Sequence, residues 1–310
     1  ESDPVEPLKQ KSALLATVVG SRKLRAGVIG GTVPGFTNMR VDSAAWQRAT
    51  GIRIQHYPLE AFLESCANIP GDEIEQDLLA VKDLALGGMP AVPDEGLIAN
   101  SRVYLALQKL KQEQALNALA IRCWPEMPEV LQAWPYLALF RLSEEKFGNA
   151  MEGDVEGALS LELAYRLGAD SGVLMDWIHH RDSVVTLWHP GNAPSGLSET
   201  EGPGAPRLGR HFNNGKPGVV ESVIRPGLPV TLFRFWVLKG SLHLDGLEGV
   251  TLPVKHPLMG TTGRVEISGP SSVGPWFEDA CHRGLAHHLA LIPGHWLHRL
   301  DRLHHLLKQI

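Results

Sequence analysis

The chain has 310 residues, 44% of them hydrophobic and 20% charged, and a net charge of −5 with both signs spread along its length. That make-up belongs to a packed globular protein with room for two domains of ordinary size, and it excludes a disordered chain. No long basic block invites nucleic acid, no apolar run is long enough for a membrane span, no signal peptide opens the chain, and three scattered cysteines without a Cys-x-x-Cys suit a reducing cytosol.

Apolar residues at three- and four-residue steps predict a helix over 8–19. Residues 24–29 read as a buried strand running into a glycine-rich turn. Its spacing is not Gly-x-Gly-x-x-Gly, no Walker lysine follows, and Pro34 stands where a helix should begin, so it reads as a plain strand-to-loop turn. Asp42 caps a helix over 43–50, and residues 52–57 alternate as a strand. Helices follow over 59–66, 72–85 and 93–115, then a strand over 118–123, then Trp124-Pro125-Glu126 and a helix to about Phe140. A further helix spans 155–167. Strands alternating with helices predict an α/β domain over 1–167 with a parallel sheet and flanking helices.

Beyond residue 168, glycine and proline become dense. Short β-rich runs at 219–224, 229–238, 241–244 and 263–267 are separated by the turn signals Asn213-Asn214-Gly215, Lys239-Gly240 and Asp245-Gly246. They predict a second domain over 168–310, mostly antiparallel β and barrel-like. Leu297, Leu300, Leu303, Leu306 and Leu307 support a closing amphipathic helix.

Candidate site residues gather between 151 and 192. Glu152 and Asp154 precede an apolar run, Asp176 follows the apolar segment 172–175, and His189 ends the segment 184–188. Acids at the ends of buried elements are costly unless something pairs with them, and a divalent metal is one good partner. Asp154 has two readings, a cap accepting from the N–H of Glu156 or Gly157, or a metal ligand; the cap is the better supported. Half of the 14 histidines lie in the last thirty residues. His298, His304 and His305 read as packing residues of the last helix. His287 and His288 precede the buried strand 289–292, where alternation lets only one of the two rings reach any given site. Glu, Asp and His together suit manganese or a similar ion. Trp124 lies at the carboxyl end of a parallel strand, where ligands bind in open α/β sheets; its bland alternative is packing at the rim.

Five pieces, in order, resemble the L-fucose and L-arabinose isomerase family. They are residues 120–126, 151–159, 175–177, 187–192 and Ala286-His287-His288, and the likeness runs from about residue 20 to the end. The 24-residue step from Glu152 to Asp176 (176 − 152) is similar to the fucose branch. The resemblance implies a Mn2+-dependent aldose–ketose isomerase, an intramolecular oxidoreductase that converts a pentose, hexose or deoxy sugar through an ene-diol. It implies Glu152, Asp176 and His288 as metal ligands, His189 as a further ligand of the arabinose branch, and Glu152 and Asp176 as the catalytic pair. Trp124 and His287 would contact a small-molecule sugar, in a cytoplasmic, symmetric homo-oligomer with its site between the two domains.

Two departures stand out. Family members carry an additional amino-terminal α/β domain, so this chain, which opens on Glu1, reads as a fragment or a short branch. Pro190 stands where Cys is common. A non-catalytic sugar-binding or regulatory relative is the alternative. A metal-dependent sugar-phosphate aldolase or epimerase would need a basic phosphate clamp, which Arg181 near the site stretch does not make.

Overall fold

Four parallel strands form the first sheet of the computed structural model, which describes residues 6–88, 92–269 and 271–309. They are β1 (Arg25–Ile29), β2 (Arg53–Tyr57), β3 (Ala118–Ile121) and β4 (Gly148–Ala150), in the order β2-β1-β3-β4. Helices α1 (Glu6–Ser21), α2 (Ser43–Thr50), α3 (Leu59–Ala67), α4 (Gly71–Asp83), α5 (Asp94–Glu113), α6 (Glu126–Leu131), α7 (Tyr136–Glu144) and α8 (Val155–Leu167) accompany it. β1 and β3 are almost wholly apolar because both faces are covered. Ala26 and Val28 pack into one core with α8, while Ile29, Leu119 and Ile121 pack into another with α3 and α5. α2 is capped as the sequence suggests, with Asp42 Oδ1 accepting from Ala45 N at 2.8 Å.

The single helix expected after Trp124 is two helices, α6 and α7. Gln132 takes a left-handed conformation (φ 52) and Pro135 precedes the next turn, so one helix cannot run through. β4 is only three residues long, too short to show a period in the sequence.

The second sheet contains β5 (Val173–Arg181), β6 (Val184–His189), β7 (Arg207–Arg210), β8 (Pro217–Val223), β9 (Pro229–Leu238), β10 (Ser241–Thr251), β11 (Thr261–Ile267) and β12 (His288–Pro293), with α9 (Gly274–Arg283) and α10 (Leu297–Leu307). The run β10-β9-β12-β5-β6-β11 is antiparallel throughout, and pairing of β10 with β11 closes it into a six-stranded barrel. Closure removes the edges that an open sheet would expose. β8 adds to β11 in parallel, and β7 pairs with β8.

Asp245-Gly246 does not turn the chain. Lys239 (φ 51) and Gly240 (φ 78) already supply the hairpin, and β10 continues through Gly246 paired with Phe233. Asp245 is held there by Trp236 Nε1 at 2.8 Å. α9 and β7 carry no period strong enough to predict them. Among the described residues no helix is long and apolar enough to cross a membrane.

α8 joins the two sheets. One continuous core contains Ala26 and Val28 of β1, the inner face of α8, Phe233 and Phe235 of β9, and Ala290 and Ile292 of β12. The helix approaches β4 so closely that a Cβ on Gly148 would stand 2.5 Å from Ala158 O. Backbone cannot yield there as a flexible side chain can, so Gly148→Ala should destabilise the fold by about 1–3 kcal/mol, the range for overpacking. A lowered midpoint in urea denaturation is expected; an unchanged one would contradict this packing.

Candidate metal centre

Glu152 stands in the loop between β4 and α8, at the carboxyl end of a parallel strand. The glycine-rich turn after β1 seats this loop. Val33 N donates to Glu152 O at 3.1 Å, Gly153 N to Ile121 O at 3.0 Å, and a Cβ on Gly153 would collide with Gly31 O. Glu152 itself is left-handed (φ 62), a conformation uncommon for a residue with a side chain and one that gathers at functional sites. Trp124 Nε1 donates to Glu152 Oε1 at 2.9 Å, leaving Oε2 to face inward.

The barrel supplies the other groups. Register places His288 of β12 directly opposite Asp176 of β5, and β6, the next strand, ends at His189. His288 Nε2 lies 3.0 Å from Asp176 Oδ1 and 3.2 Å from Glu152 Oε2. His189 offers a ring nitrogen within 4.8 Å of the Glu152 and His288 ligand atoms, and His287 likewise with Asp176 and His288. Both histidines of the pair therefore reach one cluster, against the alternation argument. β12 begins at His288, so His287 sits before the strand, and its Nε2 is 3.7 Å from Asp176 Oδ1.

Behind His288 runs a buried chain of charges. His288 Nδ1 donates to Asp154 Oδ2 at 3.0 Å. Arg234 of β9 grips Asp154 with two bonds of 2.6 Å, and its Nη2 reaches Glu156 Oε2 at 3.3 Å. Glu156 in turn accepts from Trp46 Nε1 at 2.7 Å and Val237 N at 3.0 Å. Asp154 also caps α8, accepting from Gly157 N at 3.1 Å. The capping reading of Asp154 is what the geometry shows, but a cap is only part of its role. Arg234 is legible in hindsight: a lone cation in an apolar strand must meet a buried carboxylate.

The donors fit a divalent ion. His288 Nε2, Asp176 Oδ1 and both ring nitrogens of His189 are buried without a hydrogen-bond partner. The two carboxylate oxygens near Nε2 are close to it, yet neither makes an aligned hydrogen bond. In a six-coordinate shell with bonds of about 2.1–2.2 Å, adjacent donors stand about 3.0–3.1 Å apart and at right angles rather than in line. Carboxylates and imidazoles together form a mixed oxygen and nitrogen donor set of the kind that can hold a divalent metal ion.

Burial alone would raise the pKa of Glu152 and Asp176, but His288 beside them more than offsets it and holds both below the usual carboxylate range. Burial pushes His189 down, which leaves a neutral imidazole. Burial would also lower His288, yet Asp176, Asp154 and Glu152 around it raise it well above its ordinary 6.5. Without a metal, these shifts favour the protonated ring beside ionised carboxylates.

A cavity of about 360 Å³ opens onto this cluster, lined by Glu152, Asp176, Trp124, Trp134, Tyr136 and His211 among others. The volume is of the order a small ligand needs. Trp134, Tyr136 and His211 were not singled out from the sequence, because only the folded loops bring them together.

Two sheets joined at a buried cluster of carboxylates and imidazoles define a protein with a candidate divalent-metal site under an aromatic pocket. No family model matches the chain. The sulfoquinovose isomerase of Priestia aryabhattai is 25% identical over 306 residues, covering 97% of this chain and 67% of that protein. The sulfoquinovose isomerase of Alkalicoccus urumqiensis is 28% identical over 283 residues, covering 90% of this chain and 62% of that protein. The chain spans about two thirds of the length of these relatives, which are sugar isomerases by name.

A proton and a metal ion compete for His288 Nε2, since the ligand form is the neutral ring. Metal binding should therefore release a proton below the raised pKa, and affinity should climb with pH until that pKa is passed. Calorimetric titration with MnCl2 at pH 7 in two buffers of different ionisation enthalpy measures the release. Identical heats in both buffers would contradict the protonated ring.

Proposed function

We propose that this chain is an aldose–ketose isomerase that moves a proton between C1 and C2 of a sugar, with a divalent ion such as Mn2+ held by Glu152, Asp176, His288 and His189. The observation that supports it best is that His288 Nε2 stands beside both Glu152 and Asp176, the two carboxylates that line the cavity, with His189 grouped with Glu152 and His288, in a chain similar over most of its length to sugar isomerases. Placement near the L-fucose and L-arabinose isomerases belongs to the same reading, and so does a homo-oligomeric assembly.

The chemistry follows from the residues. A base must take the hydrogen from C2 as the C1 carbonyl becomes a hydroxyl, and the resulting ene-diol must take a proton at C1 as the C2 hydroxyl becomes the carbonyl. Glu152 and Asp176 are ionised and face the cavity, so each is able to accept a proton. Trp124 fixes Glu152 through Oε1, so that carboxylate is oriented before substrate arrives. Asp176 is the more open of the two, with a side chain 18% exposed against 11% for Glu152. One carboxylate takes the carbon-bound proton and the other carries the hydroxyl proton. A divalent cation in this shell supplies Lewis acidity toward the carbonyl and stabilises developing negative charge. Aromatic walls from Trp124 and Trp188 exclude water and offer faces to the sugar's C–H groups.

The substrate belongs to the reading as well. Relatives named for sulfoquinovose favour a hexose altered at its far end over a simple pentose. In D2O with MnCl2, the protein should exchange one carbon-bound hydrogen of a converted aldose for deuterium, seen by NMR. Glu152→Gln and Asp176→Asn should each lower turnover by about 10²–10⁴-fold, the usual contribution of a general base. Sugar binding without turnover in the unaltered protein would contradict the proposal and favour a non-catalytic sugar-binding relative.

A further inference from the structure

The cavity that Glu152 and Asp176 line is also lined by His211, Phe212, Asn213 and Asn214, from a loop over residues 211–216 between β7 and β8. The loop is closed by its own backbone hydrogen bonds. His211 N donates to Lys216 O at 2.9 Å, and Gly215 N to His211 O at 2.9 Å. The His211 ring lies flat on Trp134, with centroids 3.7 Å apart and planes 18° from parallel. Trp134 is tied back to the loop by its Nε1, which donates to Asn214 Oδ1 at 2.9 Å. None of the described hydrogen bonds, ion pairs or ring contacts joins this loop to Glu152, Asp176 or His288.

The polar atoms of the loop are arranged as donors. Asn213 N donates to His211 Nδ1 at 3.2 Å, so the neutral ring carries its proton on Nε2. Burial pushes the His211 pKa down to about 4, so the ring stays neutral near pH 7. Asn214 Oδ1 accepts from Trp134 Nε1 and from Lys216 N at 3.2 Å, which turns its NH2 group the other way. Nε2 of His211 and Nδ2 of Asn214 make no hydrogen bond among the described residues, and both side chains line the cavity. Lys216 Nζ brings a positive charge alongside, bonded at 2.8 Å to Pro128 O and at 2.8 Å to Glu129 Oε1. Pro128 and Glu129 line the same cavity.

The Glu152 and Asp176 carboxylates and the N–H donors of His211 and Asn214 line one cavity with no described bond between the two sets, which suits a sugar whose reacting carbons and far end differ. We propose that the 211–216 loop is the subsite for the sugar's far end, and that His211 and Asn214 determine specificity by donating hydrogen bonds to acceptor oxygens there. This rests on the isomerase reading for which end of the sugar faces the loop. The acceptor is a hydroxyl or a sulfonate, which share this chemistry. Orientation also follows: C1 and C2 lie at Glu152 and Asp176, and the substituent on C6 lies at the loop.

Three sugars that differ only at C6 test the assignment: glucose, 6-deoxyglucose and sulfoquinovose. Their affinities for the full chain with MnCl2 are measured by calorimetry, and isomerisation is followed separately by NMR. His211→Phe keeps the ring on Trp134 and removes the donor. It should weaken glucose about tenfold, the cost of one neutral hydrogen bond, weaken sulfoquinovose more because its acceptor is charged, and leave 6-deoxyglucose unchanged. Asn214→Asp keeps the acceptor that holds Trp134 and replaces the NH2 group by an anionic oxygen. It should weaken sulfoquinovose most, glucose less and 6-deoxyglucose least. A wild-type preference for sulfoquinovose over glucose identifies the sulfonate as the acceptor, and the reverse identifies the hydroxyl. Equal losses for all three sugars, or no discrimination among them by the unaltered protein, would overturn the subsite. Discrimination at C6 without isomerisation would leave the subsite standing and refute the isomerase reading instead.

Discussion

Arg234 and Asp154 form an ion pair with no solvent exposure at either side chain, and the arrangement of the site depends on it. The guanidinium comes from β9 of the barrel and the carboxylate from the start of α8, so the pair pins one sheet to the other at the point where Glu152 and His288 must meet. A buried pair of this kind adds little net stability, because taking both charges out of water costs about what their attraction returns. What it does is orient. With both oxygens engaged by Arg234, Asp154 holds the Nδ1 side of His288, so Nε2 can face only Glu152 and Asp176. Carboxylates behind metal-ligating histidines set the ring's tautomer and basicity in the same way.

The pair also explains how so many acids share so small a volume. Glu152, Asp154, Glu156 and Asp176 approach one another through a handful of side chains. Like charges at such distances would raise one another's pKa values. Arg234 draws Asp154 far below the carboxylate range, whereas Glu156, desolvated and beside Asp154, sits above it. Glu152 is compensated by His288, His189 and the Trp124 hydrogen bond, and Asp176 by His288, His189 and His287. That leaves two ionised carboxylates facing the cavity, the state a proton acceptor needs.

Much of this was legible in the sequence, for a local reason. Glu152, Asp176 and His288 each mark the boundary of a short apolar segment, and a polar or charged group there stands out. The barrel likewise announced itself through turn signals and short β-rich runs. Arg234 lies 80 residues from Asp154, and nothing nearby in the chain reports its partner. The reach of His287 into the cluster turned on where β12 begins, a boundary of one residue. Asp245-Gly246 has the composition of a turn but stays in β10, because the hairpin before it and the Trp236 contact fix the strand's course. The aromatic wall of Trp134 and His211 joins a loop before α7 to one before β8, and a pairing of that kind leaves no spacing to read.

The central claim is that Glu152, Asp176, His288 and His189 share one divalent ion. A crystal grown with MnCl2, with diffraction collected at a wavelength where manganese scatters anomalously, tests it most directly. The account predicts a single strong anomalous peak about 2.0–2.3 Å from Glu152 Oε2, Asp176 Oδ1 and His288 Nε2, the range of neighbouring divalent metals, with the His288–Asp154–Arg234 contacts unchanged. A peak elsewhere on the chain, or none at a manganese concentration that supports turnover, would contradict it.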